Sequence, residues 1–135
     1  MSIFSENSIM FILYVRNQGI SRDLYSKVFD MEPTLDVPGM TEFQLMPGVS
    51  LGLMPGDGIT SILENKVVNP DTNREAIRCE LYVFVSDPDA CLKKLVQAGG
   101  SSISNGALRN WGDYVAYGCD YDGNIVAFAK KINRE

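Results

Sequence analysis

The 135-residue chain predicts an α+β fold built from two copies of one strand–helix–strands unit. Three observations predict it. A β-prone apolar run followed by an amphipathic helical stripe occurs twice. A single shift of 70 residues lays Phe11 on Leu81, Leu13 on Val83, Val15 on Val85 and Asn17 on Asp87. Each occurrence is followed by β-prone runs joined at short Gly-containing turns, and internal duplication is the simplest account.

Taken in order, Ile9 to Val15 is short, apolar and rich in β-formers, as expected of a strand buried on both faces. After the break at Asn17-Gln18-Gly19, Ile20, Leu24, Tyr25, Val28 and Phe29 form a helical stripe, which Pro33 is expected to stop. Thr41 to Met46 and Val49 to Met54 flank Pro47-Gly48 and predict a hairpin, with a further short strand near Thr34 to Val37. The stretch 55–78 is the least regular, with a helical turn over Ile59 to Leu63 and a polar connector Asn69 to Glu75, and it suits a linker.

The second unit starts with a strand from Glu80 to Val85. Asp87 is placed to cap a helix with Pro88 at its first position, and Cys91, Leu92, Leu95 and Val96 supply its apolar stripe. Gly99 is the expected stop, where a positive φ is needed. A strand near Ser101 to Ser104 and a closing hairpin, Tyr114 to Ala129, complete the unit. Its turn, Asp120-Tyr121-Asp122-Gly123-Asn124, has the residues that tolerate φ > 0. The division is therefore one domain over 1–135, with modules at 9–54 and 79–131 around the linker.

Composition narrows the function. Hydrophobic residues at 45% and charged residues at 21% describe an ordinary globule. A net charge of −5, with no Lys/Arg cluster beyond the pairs Lys93-Lys94 and Lys130-Lys131, argues against nucleic acid. The start carries no basic residue, and its apolar run of seven is too short for a span of about 20, so neither signal peptide nor membrane segment is expected. Cys79, Cys91 and Cys119 are widely spaced and read as reduced core thiols, which points to the cytoplasm. No histidine is present, which removes His-based triads and imidazole zinc sites. Asp120, Asp122 and Asn124 do not make an EF-hand loop, because its sixth and twelfth places fall on Ile125 and Lys131.

Several pieces then fall into one order: the opening Leu13 to Met31 with Leu24-Tyr25, the triplet Val85-Ser86-Asp87, and Trp111-Gly112-Asp113 ahead of Asp120-Tyr121-Asp122-Gly123-Asn124. In this order and spacing the chain resembles the vicinal oxygen chelate superfamily, of the glyoxalase and bleomycin-resistance type, from Ile9 to Lys131. The resemblance implies two βαβββ modules forming a curved mixed sheet around a cleft, and a homodimer. In metal-using members four side chains face the cleft, and by strand position these correspond to Met10, Leu53, Glu80 and Ala127. Only Glu80 could ligate, and one carboxylate cannot hold a divalent ion against water. The resemblance thus implies no cofactor, with a divalent metal conceivable only on atypical ligands. The metal-free bleomycin-resistance branch is the nearer functional analogue.

Strand alternation sends Glu80, Tyr82 and Phe84 to the cleft, along with Met10, Ile12 and Tyr14. Leu81, Val83, Val85, Phe11, Leu13 and Val15 go behind, under the helices. Tyr14 and Tyr82 can face a partly polar ligand or simply reach backbone partners. Glu80 can pair a cationic ligand group or act as a base, or it can salt-bridge Arg78 or Arg109. Trp111, beside Arg109, Asp113 and Tyr114, can stack a flat ligand or staple its loop to the core. Met46 and Met54 can line a pocket or fill the core.

The expected ligand-binding residues are therefore Trp111, Tyr82, Glu80, Tyr14, Met54, Arg109 and Tyr114, and the expected partner is a small organic molecule held or sequestered without metal. The alternative is a lyase or isomerase of the lactoylglutathione lyase type, with Glu80 as catalytic base and an atypical metal site. Sheet edges serving mainly to pair two copies form a third reading.

Overall fold

The first module runs β1 (Ile9–Val15), α1 (Gln18–Phe29), β2 (Leu35–Val37), β3 (Met40–Met46) and β4 (Val49–Pro55) in the computed structural model, which describes residues 2–73 and 75–133. A linker follows, carrying helix α2 (Gly56–Ile62) and a 3-10 turn, Pro70–Thr72. The second module is β5 (Glu80–Phe84), α3 (Pro88–Gln97), β6 (Ser101–Leu108), β7 (Asp113–Cys119) and β8 (Ile125–Lys131). Each module forms its own four-stranded mixed sheet, ordered β1-β4-β3-β2 and β5-β8-β7-β6. The first strand pairs parallel to the last, and the remaining pairs are antiparallel. This is the predicted α+β, two-module βαβββ architecture.

The repeat extends to the caps. Asn17 accepts a hydrogen bond from the amide of Ile20 and Asp87 accepts one from the amide of Ala90, so the residues that superimpose in sequence perform the same task. The first helix ends earlier than predicted. Asp30 adopts a left-handed conformation, φ 53°, and its amide bonds the carbonyl of Ser26, so the chain turns before Pro33 is reached. Gly99 has φ +114° just past α3, as expected. The linker helix starts at Gly56, three residues before the predicted turn, and β6 runs on to Leu108. Arg74, within the polar connector, lies outside the described residues.

One core joins the modules. Leu13, Val15, Phe43, Leu51 and Leu53 from the first sheet meet Leu24, Tyr25 and Val28 of α1. The same cluster takes in Leu92 and Leu95 of α3 with Ala116, Val126 and Phe128 of the second sheet. Both helices thus cover the rear faces of the sheets, and the front faces are left for other work. Two corrections follow. Phe11 shares its side of β1 with Leu13 and Val15 but is 67% exposed, because α1 does not extend over the start of the strand. Leu53 is fully buried in the rear core, so it cannot face a cleft. In the ladders Ile12 pairs with Gly52 as Tyr82 pairs with Ala127, which makes Gly52 the true counterpart of Ala127. A Cβ there would meet Ile12 Cγ1 at 3.0 Å and Met10 Sδ at 3.2 Å, which confirms the front face.

The closing turn binds the modules together. Asp120 accepts from the amides of Asp122 and Asn124 within the turn, and from the Tyr25 hydroxyl of α1 at 2.8 Å. Asp122 reaches the end of β1, accepting from the Arg16 amide and guanidinium and from the Ser21 hydroxyl. Gly123, at φ +88°, lets the chain return into β8. Burial and then the charge of Asp120 hold the Tyr25 phenol well above its ordinary pKa.

Candidate functional site

The front of the second sheet carries a floor of small or branched residues, Val115, Ala127 and Ala129, all fully buried under Tyr82 and Tyr117. Alternation from Asp113 produces this floor, since Asp113, Val115 and Tyr117 share one side of β7. Across the ladder Tyr117 sits beside Ala127, which sits beside Tyr82.

A hydrogen-bonded chain crosses this face. The Trp111 indole N–H donates to the Tyr82 hydroxyl at 2.9 Å, and the Tyr82 hydroxyl donates to the Asp113 carboxylate at 2.6 Å. Asp113 is fully buried, whereas the Trp111 side chain remains 45% exposed. Burial, then the bond to Asp113, raises the Tyr82 pKa, so the phenol stays protonated as donor and acceptor at once. Phe84 meets Tyr82 edge-on, with ring centroids 5.5 Å apart, and the Lys131 ammonium lies 5.0 Å from the Phe84 ring.

Arg109 closes one side. One guanidinium nitrogen donates to Ser104 Oγ and to the carbonyls of Asn105 and Val115, and the group lies 5.2 Å from the Tyr117 ring centroid. Its Nε is buried without a hydrogen-bond partner. Glu80 is exposed at the other end and makes no ion pair among the described residues, so the expected bridges to Arg78 or Arg109 do not form. Its charge is felt by Tyr117, whose pKa is raised by burial first and by Glu80 second.

Four of the expected residues, Glu80, Tyr82, Arg109 and Trp111, therefore share this face. Tyr14 and Met54 do not join them. They pair across β1 and β4 on the front of the first sheet. Tyr114 points the opposite way. Its hydroxyl donates to Asp89 of α3 at 2.6 Å, because β7 begins at Asp113 and alternation turns the next residue to the rear. Asp113 and Tyr117 join this face beyond the expected residues, and the period-2 row Asp113, Val115, Tyr117 is the sequence signal that places them there.

At the four strand positions singled out by the sequence resemblance, with Gly52 now in place of Leu53, stand Met10, Gly52, Glu80 and Ala127. A thioether, a hydrogen and a methyl stand beside one carboxylate, a donor set that does not fit a divalent ion. Among the described residues no three His, Cys, Asp or Glu side chains converge on one point.

No protein-family profile matches the chain, and no curated protein matches it significantly. Solved structures do. A glyoxalase-related enzyme from Fulvimarina pelagi superimposes with a TM-score of 0.77 at 20% identity, covering 90% of this chain and 86% of its own. A hypothetical protein from S. aureus gives 0.77 at 19% identity, with 96% and 95% covered. A glyoxalase/bleomycin resistance protein/dioxygenase family enzyme from Burkholderia phytofirmans PsJN gives 0.75 at 13% identity, with 91% and 97% covered. The chain has the fold of these proteins, as the turn and module spacing led one to expect.

Proposed function

We propose that the protein binds a small, partly aromatic molecule on the front of its second sheet without a metal ion. The observation that carries this reading is the Trp111–Tyr82–Asp113 chain over the Val115, Ala127 and Ala129 floor. A half-exposed indole, held by its N–H, offers a flat surface whose orientation is already fixed, which lowers the ordering cost of stacking. Arg109 and Lys131 on one side and Glu80 on the other supply charge for polar groups at the ligand's edge. Sequestration, as in bleomycin-resistance proteins, needs no more than this.

The reading includes a homodimer. Met10, Phe84 and Trp111 stay exposed on the two front faces, apolar surface that a second copy can cover. Cys79 is exposed and Cys91 and Cys119 half-buried, so they are not the core thiols expected, but none is in a disulfide, which suits a reducing cytoplasm. No described helix is long and apolar enough to cross a membrane.

The exposed, unbridged Glu80 favours one alternative, a lyase or isomerase in which it takes a proton from the bound molecule. Intrinsic fluorescence of Trp111, the one tryptophan, separates binding from its absence. Quenching or a shift with an aromatic ligand supports the proposal; silence across aromatic, cationic and thiol-conjugate compounds contradicts it. Turnover lost in Glu80→Gln, with binding kept, would move the assignment to the enzyme.

A further inference from the structure

A second space lies away from the aromatic face. It is a pocket of about 520 Å³ between β1, the linker residues Val68–Asp71, Asn73 and Ala76–Cys79, and the Asp122–Asn124 turn. None of Glu80, Tyr82, Arg109 or Trp111 lines it. Its apolar wall is Ile12, Val68 and Ile77, and the last two are 75% and 63% exposed. Branched side chains so exposed on a linker and lining one pocket form a patch suited to covering by a ligand.

The polar wall divides in two. Asp122 is already engaged by Arg16 and Ser21, Asn124 by Asp120, and Asn69 by Asp57 and the Asp71 amide. The Asp71 carboxyl packs against Gly56 at the start of α2. The side chains of Tyr14, Asn73 and Arg78, by contrast, make no hydrogen bond or ion pair among the described residues. A phenol, an amide and a guanidinium without partners thus line the same pocket as the aliphatic wall. Arg78 is the pocket's only described cation, since Arg16 does not line it. Its planar fork matches a carboxylate in two-point contact, and a phenol and an amide donate to the same oxygens.

We infer that this inter-module pocket binds a small carboxylate with an aliphatic or aromatic body, the carboxylate on Arg78, Tyr14 and Asn73 and the body against Ile12, Val68 and Ile77. The site is independent of the reading given above for Trp111, and either can fail alone. A carboxylate held here would touch β1 and the linker together, and would therefore stabilise the packing of the linker on the first module by mass action.

The test uses the full-length protein with 4-methylpentanoate and benzoate as probes, and 4-methylpentanamide and benzamide as uncharged controls, followed by calorimetry and methyl NMR. The expected result is saturable binding of the acids, with shifts at the Ile12 and Ile77 methyls and binding at least tenfold weaker for the amides. Arg78→Gln, at an exposed position whose change leaves the fold intact, should weaken acid binding by roughly 10- to 100-fold, the range of a lost charge-assisted pair. Trp111→Phe should leave it unchanged. No binding of either acid, equal binding by Arg78→Gln, or acids and amides bound alike would overturn the assignment. Loss of acid binding in Trp111→Phe would overturn it too, by placing the acids on the aromatic face.

Discussion

Asp122 accepts hydrogen bonds from both the backbone amide and the guanidinium Nε of Arg16, at 2.8 and 3.1 Å, across 106 positions of sequence. The carboxylate is almost completely buried while the Arg16 side chain is 40% exposed. Its value therefore lies more in the buried amide and the Ser21 hydroxyl than in the ion pair, which solvent screens. Asp122→Ala should cost about 2–3 kcal/mol by urea unfolding, since it strands buried donors. Arg16→Met, which keeps the amide bond, should cost roughly 0.5–1 kcal/mol. Equal losses would mean that the exposed ion pair, and not the buried amide, ties the turn to β1.

Tyr25 and Asp120 form the second tie, and their pH behaviour has a definite sign. Burial and Asp120 raise the folded phenol's pKa well above the value near 10 that it has when unfolded. Its contribution is complete below pH ~10; above that the unfolded chain releases the proton while the folded chain keeps it, so stability falls as pH rises. Thermal unfolding followed from pH 8 to 11 should show this loss. Tyr25→Phe should be about 1–2 kcal/mol less stable at neutral pH and should fall less steeply above pH 10. A parallel fall in both proteins would remove Tyr25 as the cause.

Much of this fold was legible in sequence for physical reasons. Capping at Asn17 and Asp87, the helical stripes, and the φ > 0 residues of the closing turn are local signals, and local signals can be read from neighbouring residues. The role of the turn was not legible. Asp120 and Asp122 looked like turn formers, and nothing near them in sequence indicates Tyr25, Arg16 or Ser21. Errors of face had a single cause. In a strand one position decides the side, so placing Leu53 where Gly52 belongs moves the side chain from front to rear. Nearness to Trp111 in sequence does not bring Tyr114 to its face, since Tyr114 is one step out of register with Asp113.

That face assignment can be tested directly. Leu53 packs in the rear core, so Leu53→Ala should lose about 2–5 kcal/mol and leave the ligand affinity of the folded protein unchanged. Weakened binding without a stability loss would return Leu53 to the front.

Tyr82 links the indole to the buried carboxylate. Tyr82→Phe removes the acceptor for Trp111 and the donor to Asp113, at a cost of about 1–3 kcal/mol. Trp111 emission should move to longer wavelength as the freed indole meets water, and aromatic ligands should bind several-fold more weakly. An unchanged emission maximum would show that Tyr82 does not hold the indole in solution.

The central claim is binding without metal, and one titration addresses it most directly. Purified protein is assayed for bound divalent metal, and an aromatic ligand is then titrated against Trp111 fluorescence before and after exhaustive chelation. Metal-free binding gives less than one metal per ten chains and the same dissociation constant in both titrations. Stoichiometric metal, with binding abolished by chelation and restored by adding the ion back, would contradict it.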